Sequence, residues 1–303
     1  MSAVTSLRTA VGALSRTPVL VLGGLVYAVV LLPQRALQLA SVPLLPGLLQ
    51  LVTFFLTPFV LAGVVGMAHR ALDGPVSFDA FTAAGRDRYL DVLLGTLVEL
   101  GIQLAFAVVF VILGAIVAVS GLSGGAGPAT LVGVAVFGLL AFAYLAVLFV
   151  IQFYPVAIVV DDAGPIDGVT RSVSFVRDNV LSTLGYSLVT VVVGGLASLP
   201  ISGFVAYRFL TADVGPTGGE GPAGVGPFGG MGSGTGAGPG PEAIADALAG
   251  GTGLGLSTPE VVGLSLVAAA TTGLFFAFRQ TYATAFYRRS GRSVAERVLD
   301  GEP

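Results

Sequence analysis

Residues 92–119 read VLLGTLVELGIQLAFAVVFVILGAIVAV, an apolar run in which Glu99 is the only charged residue. A helix of roughly 20 such residues crosses a hydrocarbon core of about 30 Å. The run does not alternate apolar and polar residues as a strand of a membrane barrel does. Because only helices and closed barrels satisfy their backbone polar groups in lipid, this stretch predicts a transmembrane α-helix.

Five further stretches have the same character, and together they predict the fold class. The six predicted spans cover residues 18–33, 47–68, 92–119, 130–159, 181–205 and 260–286. Of the 303 residues, 54% are hydrophobic and only 10% are charged, whereas a soluble domain has about a quarter of its residues charged. We therefore expect an all-α polytopic membrane bundle that forms a single domain over residues 1–303.

The distribution of arginine predicts the orientation, since the chain has no lysine and its 14 basic residues are all arginine. If the N-terminus is inside, the predicted outer segments contain only Arg35 and Arg208. The other arginines lie toward the cytoplasm, with Arg279 in the cytoplasmic half of the last span. Cytoplasmic loops of membrane proteins carry such an excess. We expect a multi-pass protein of the cell membrane with both termini in the cytoplasm. A net charge of -3 offers no basic surface for nucleic acid.

A weak internal repeat indicates how the spans are grouped. Gly74-Pro75 and Leu94-Gly95 recur 90 residues later as Gly164-Pro165 and Leu184-Gly185. In both places a turn precedes an amphipathic helix and then a span, and residues 4–14 have a similar apolar stripe before the first span. This pattern predicts three parallel hairpin repeats, each introduced by a cytoplasmic amphipathic helix.

Two local signals within the spans concern packing. Gly114-x-x-x-Ala118 and Ala269-x-x-x-Gly273 have the small-residue spacing that is typical of close helix contacts in membranes. Pro155 lies within the fourth predicted span, and its missing N–H is expected to loosen the helix there.

Two segments near the end of the chain carry their own signals. Residues 212–257 contain 17 glycines and five prolines, too little apolar surface to offset the entropy of ordering, which predicts a disordered extracytoplasmic loop. Further on, Ser293 and Glu296 have the spacing of a capping box. They predict a fourth amphipathic helix after the last span.

Polar residues within the predicted spans are the strongest candidates for a functional site, because each costs a few kcal/mol in lipid unless it is satisfied. The candidate cluster consists of Glu99, Gln103, Gln152, Arg279 and Gln280. Glu99 and Arg279 are predicted to lie at the same depth, about 11 Å from the cytoplasmic surface. They are expected either to pair and hold two hairpins together or to line a path for a solute or a proton.

The predicted amphipathic helix at residues 166–178 offers a second candidate site. Arg171 and Arg177 lie off its apolar stripe and are candidate contacts for anionic lipid headgroups. Membrane lipids are therefore the expected partners. A protein partner or a homo-oligomer is left open.

The sequence contains no recognisable catalytic set. There is no cysteine and His69 is the only histidine, so neither a Ser-His-Asp triad nor a cysteine nucleophile can be assembled. Asp161 and Asp162 are more simply explained by turn chemistry than by a metal ion. We expect no catalytic residue, no metal and no cofactor, and a non-enzymatic structural, lipid-interacting or accessory role. The alternative is a small transporter or channel with a polar path near Glu99 and Arg279.

The segment FYPVAIVVDD at residues 153–162 continues into AGPIDGVTRS and is followed by Phe175, Arg177 and Asn179. It resembles a motif after the fourth span of a group of poorly characterised six-helix membrane proteins. That group is related to the membrane domain attached to some glycerophosphodiester phosphodiesterases. The resemblance implies a six-helix fold and supplies no catalytic residues. The soluble phosphodiesterase domain has no counterpart in this chain, which argues against lipid hydrolysis.

Overall fold

The computed structural model describes residues 2–39, 44–124, 127–211 and 258–299, and all regular structure in these residues is helical. The ten described helices are α1 (Ser2–Arg16), α2 (Val19–Leu39), α3 (Leu45–Ala71), α4 (Asp79–Asp87), α5 (Tyr89–Gly124), α6 (Pro128–Ile151), α7 (Tyr154–Val160), α8 (Pro165–Asp178), α9 (Val180–Thr211) and α10 (Thr258–Leu299). Six segments are long and apolar enough to cross a membrane, and α6 with α7 forms the fourth of them. The predicted all-α bundle is confirmed. The predicted disordered loop at 212–257 lies outside the described residues.

Two predicted boundaries differ from the structure. The first span does not end at residue 33, because α2 continues through Pro33 to Leu39. The separate helix predicted after the last span is wrong, because α10 runs without a break to Leu299. No proline interrupts the chain between Arg279 and Leu299, so the capping-box pair lies within a continuing helix and does not begin a new one.

The short helices α1, α4 and α8 lie at one end of the bundle, called the inner end below. Helix α4 packs on α3, α8 packs on α7, and α1 packs on α10. Helices α4 and α8 thus each pack on the helix that precedes them in the chain, whereas α1 packs on α10, the last helix described. Both α4 and α8 therefore pack mainly on the hairpin that precedes them. The grouping into three parallel hairpin repeats remains a prediction.

The closest packing in the bundle is between α2 and α10, which together with α3 form its tightest part. Gly24 lies directly against Gly273 and Ala277 at this crossing. The close contact predicted for Gly273 is thus confirmed. One turn further along, the rings of Tyr27 and Phe276 stack with centroids 3.9 Å apart. Small residues at the crossing allow the two backbones to approach so closely.

The α5–α6 hairpin is attached mainly through α3, α7 and α8. Its outer half exposes a series of large apolar side chains, including Val111, Ile112, Leu139 and Phe142. The close contact predicted at Gly114 is wrong, since a Cβ built there meets none of the described atoms within 4 Å.

An aromatic cluster joins the break between α6 and α7 to α8, α9 and α10. Phe153 lies at its centre, with its ring centroid 5.1 Å from Phe175, 5.0 Å from Tyr186 and 5.7 Å from Phe286. Phe153 and Phe286 are completely buried. The cluster therefore anchors the break between α6 and α7 to the rest of the bundle.

Candidate functional site

Glu99 of α5 is buried in a hydrogen-bonded layer between α5 and α7. Only 3% of it is exposed. Its Oε2 accepts a 3.0 Å hydrogen bond from the Tyr154 hydroxyl, and its Oε1 accepts a 3.2 Å bond from the Gln103 side-chain amide. Thr96 Oγ1 lies 3.2 Å from the same Tyr154 hydroxyl. Both carboxylate oxygens of Glu99 therefore have protein donors.

The break between α6 and α7 places Tyr154 where it can reach Glu99. Helix α6 ends at Ile151 and α7 begins at Tyr154, with Pro155 in the first turn of α7, where its missing N–H costs nothing. At the break, Ser172 accepts a 3.1 Å bond from the Phe153 amide and donates a 2.8 Å bond to the Val150 carbonyl. The predicted loosening of the helix near Pro155 is thus a defined break at which Ser172 bonds to both of these backbone groups.

Gly95 allows the ring of Tyr154 to lie against α5. A Cβ on Gly95 would be 2.8 Å from Cε2 of Tyr154, shorter than a normal contact. A larger residue would push the ring away from α5. The hydroxyl would then lose its contacts with Thr96 and Glu99.

Arg279 of α10 lies close to this layer, since it shares a cavity lining with Glu99 and Tyr154. It is 9% exposed, and it lines the same cavity as Tyr186 of α9. Tyr186 in turn belongs to the aromatic cluster around Phe153. Arg279 and Tyr186 thus bring α10 and α9 to the cavity, and the bond between Glu99 and Tyr154 joins α5 to α7 next to it.

The cavity has a volume of about 20 Å³. Four of the five predicted cluster residues line it: Glu99, Gln152, Arg279 and Gln280. Gln103, the fifth, lies one turn along α5 from Glu99, to which it donates a hydrogen bond. The structure thus brings together residues from α5, α10 and the α6–α7 break. A direct pair between Glu99 and Arg279 remains a prediction.

Sequence reasoning missed a second polar layer, closer to the outer end of α2. Arg35 is 8% exposed, and its Nη1 donates a 2.8 Å bond to Thr272 Oγ1 of α10. Next to it, Gln34 accepts a 3.0 Å bond from Thr53 of α3 and bonds to Gln50. The layer joins α2, α3 and α10, the three helices of the tightly packed part.

Arg35 does not lie in an outer loop, as a span that ends at residue 33 predicts, but within α2. The signal for this position is the sequence that follows, in which Ala36, Leu37 and Leu39 continue a helical pattern. A proline inside a long apolar helix is tolerated where neighbouring helices satisfy the freed backbone groups. The hydropathy of residues 34–39 alone does not show whether such neighbours are present.

Charged groups at the inner end are engaged with one another. Asp161 accepts a 2.6 Å hydrogen bond from Tyr287 and lies 3.5 Å from Arg171 Nη1. Asp162 is paired with Arg88. Asp161 and Asp162 are therefore occupied by hydrogen-bond donors, in agreement with a structural role for this turn.

The two predicted headgroup contacts differ in their surroundings. Arg171 is tied to Asp161 by the ion pair and by a 3.3 Å bond to the Asp161 carbonyl oxygen. Arg177 is exposed, and within the described part of the chain it has no hydrogen bond or ion pair. Arg177 is thus the better placed of the two to contact a lipid headgroup.

His69 lies at the inner end of α3, where its carbonyl oxygen accepts a 3.0 Å bond from Arg288. Arg288 also binds both carboxylate oxygens of Asp73, at 2.9 and 3.0 Å. In residues 2–39, 44–124, 127–211 and 258–299 there is no group of three or more His, Cys, Asp or Glu side chains that could hold a metal ion.

A family model described as a domain of unknown function (DUF7847) matches residues 1–290. The chain belongs to this family. The matched region extends from α1 into α10 and includes both polar layers and the cavity. No curated protein and no solved structure matches the chain.

Proposed function

We propose that this protein is a non-enzymatic integral membrane protein with a structural and lipid-interacting role. It would be a multi-pass protein of the cell membrane with both termini in the cytoplasm. The observation that carries the proposal is the packing of the polar residues of the long helices into hydrogen-bonded layers. Glu99 and Arg35 are both buried and bonded to neighbouring helices, as expected of groups that hold a bundle together.

The size of the cavity supports this interpretation. A cavity needs roughly 10–15 Å³ to hold one water molecule, so about 20 Å³ has room for one or two. A solute the size of a sugar or an amino acid would need far more space. The similarity of residues 153–162 to the six-helix group supports the same class of membrane protein.

The lipid-interacting part of the proposal rests on one face of α8. Ile166 and Val173 are two helical turns apart on this face, and Arg177 lies one turn after Val173, at the edge of the apolar stripe. Ile166 is 69% exposed and Val173 is 39% exposed. Two exposed apolar side chains next to an exposed arginine are what a helix lying in a membrane interface presents to acyl chains and anionic headgroups.

The test is retention of anionic lipid by the purified protein, measured by native mass spectrometry. Arg177→Glu should lower the retention of phosphatidylglycerol several-fold, whereas Arg177→Lys, which keeps the charge, should retain it. Thermal unfolding should be nearly the same for both variants because Arg177 is exposed. Equal retention by the parent and by Arg177→Glu would exclude a headgroup role for this residue.

A second candidate function is a small transporter or channel, since Glu99, Gln152, Arg279 and Gln280 line one cavity. The measurement is dissipation of a pH gradient in proteoliposomes. If Glu99 carries protons, the parent protein should dissipate the gradient and Glu99→Gln should abolish the flux while the fold is retained. If the protein has only a structural role, the pH gradient should decay equally slowly in proteoliposomes and in protein-free vesicles.

A further inference from the structure

Gln280 presents an unused hydrogen-bonding group to the cavity. It is 7% exposed and lines the cavity, and no residue in the described part of the chain bonds to its side-chain amide. An amide offers two N–H donors and an acceptor oxygen. A buried amide is stable only when such groups find partners, because leaving them unbonded costs the free energy of their desolvation.

Gln152, which lines the same cavity, also has a hydrogen-bonding group that no described residue uses. Its Nε2 donates a 2.9 Å bond to the Phe149 carbonyl oxygen, while none of the described residues donates to its Oε1. The same cavity is lined by Tyr186, Glu99 and Arg279. The wall is therefore polar on several sides, and the two glutamines belong to different parts of the bundle.

We propose that this cavity is a binding site for ordered water, with one or two molecules linking Gln280 of α10 to Gln152 at the end of α6. The volume of about 20 Å³ selects the ligand, because it holds one or two waters and is too small for a phosphate or a fatty-acid carboxylate. The polar lining also favours water, since cavities that stay empty are apolar and cavities that hold water offer it several polar partners.

The position of the water explains how the α5–α6 hairpin is joined to α10. Among the described residues, α6 and α10 do not pack extensively on each other, so a bridge through Gln152 and Gln280 supplies a further contact between them. Bridging water makes hydrogen bonds nearly as favourable as direct ones. It also lies next to Glu99 and Arg279, and so keeps the charged layer hydrated inside an apolar bundle.

Hydroxyl-radical footprinting by X-ray radiolysis tests the proposal on the full-length protein in lipid nanodiscs. Radiolysis of bound water modifies the side chains that touch it, including buried ones, and mass spectrometry locates the modification. Tyr154 and Tyr186 line the cavity and should be modified at least several-fold faster than Phe153 and Phe286. The two phenylalanines are completely buried and lie outside the cavity lining, so they are internal controls.

Two variants connect the modification to the cavity. Ala283 lines the cavity, so Ala283→Val should fill it and reduce the labelling of Tyr154 and Tyr186 to the level of the controls. Ala270→Val, at an exposed position of the same helix, should leave the labelling unchanged. If Ala283→Val does not fold, Gln280→Leu should give the same reduction, because it removes the amide at similar volume.

Two results would overturn the proposal. One is labelling of Tyr154 and Tyr186 in the parent protein no faster than that of Phe153. The other is fast labelling that persists in a folded variant in which the cavity is filled or its amide removed.

Discussion

Gly24 of α2 and Gly273 of α10 are in direct backbone contact: a Cβ built on Gly24 would lie 2.1 Å from the carbonyl oxygen of Gly273. Real Cβ atoms do not approach backbone oxygen atoms so closely. The same Cβ would lie 2.8 Å from the Cβ of Ala277. Any side chain at position 24 therefore has to move α2 away from α10.

Gly24→Ala is expected to destabilise the protein by about 1–3 kcal/mol, the usual cost of overpacking a close contact. The measurement is thermal or denaturant unfolding in detergent. Gly114→Ala is the matched control, since a Cβ there meets none of the described atoms within 4 Å, and alanine favours a helix over glycine by up to about 1 kcal/mol. Equal effects of the two substitutions would show that the α2–α10 crossing is looser than the structure has it.

The predicted pairing of Glu99 with Arg279 is tested by a double-mutant cycle. Glu99→Gln alone should destabilise the protein by about 3–5 kcal/mol if it leaves Arg279 as an uncompensated buried charge. Adding Arg279→Gln should then recover part of the loss. Strictly additive free energies of unfolding would contradict the pair, and would indicate that each side chain is satisfied by its own neighbours.

The outer polar layer makes a prediction about Thr272. Thr272→Val removes the acceptor of the bond from Arg35 while it preserves the shape of the side chain, and is expected to cost about 1–3 kcal/mol. Thr271→Val is the neighbouring control, because Thr271 Oγ1 bonds to the backbone of its own helix. Its effect on the free energy of unfolding should stay within about 0.5 kcal/mol. If Thr272→Val is as stable as Thr271→Val, the bond from Arg35 to Thr272 does not help to hold α2 against α10.

The proposed orientation is tested with topology reporters. A reporter fused after Pro303 or inserted in the turn at residues 161–165 should give a cytoplasmic signal, because the arginine bias places these segments inside. A reporter near Gly230 should give an external signal. An external signal from the 161–165 insertion would reverse the orientation of all six spans.

Hydropathy is sufficient to predict the six long helices, because an apolar run of this length has few alternatives to a helix. It also singles out polar residues that line the cavity, since Glu99, Gln152, Arg279 and Gln280 are costly in an apolar bundle unless they are satisfied. Depth along a helix follows from counting residues. The shared cavity is thus largely a consequence of the positions of these residues in the sequence.

The details that depend on packing between helices cannot be predicted in this way. Tyr154 belongs to a recognisable motif, but its bond to Glu99 depends on the break after Ile151 and on the space left by Gly95. The prediction that Arg35 lies in an outer loop depends on the assumption that Pro33 ends the first span. Whether a proline ends a helix or lies within it depends on the neighbouring helices, and one sequence does not show which neighbours are present.

The contact between α2 and α10 joins the second helix of the chain to the last one described, and this has a consequence for biosynthesis. While the ribosome is still making the middle of the protein, the glycine face of α2 lacks the helix on which it packs, and Arg35 lacks its bond to Thr272. Both are completed only when α10 enters the membrane. The first span to be inserted is therefore among the last to reach its final packing. A chain that stops before α10 leaves the packing face of α2 without its partner helix.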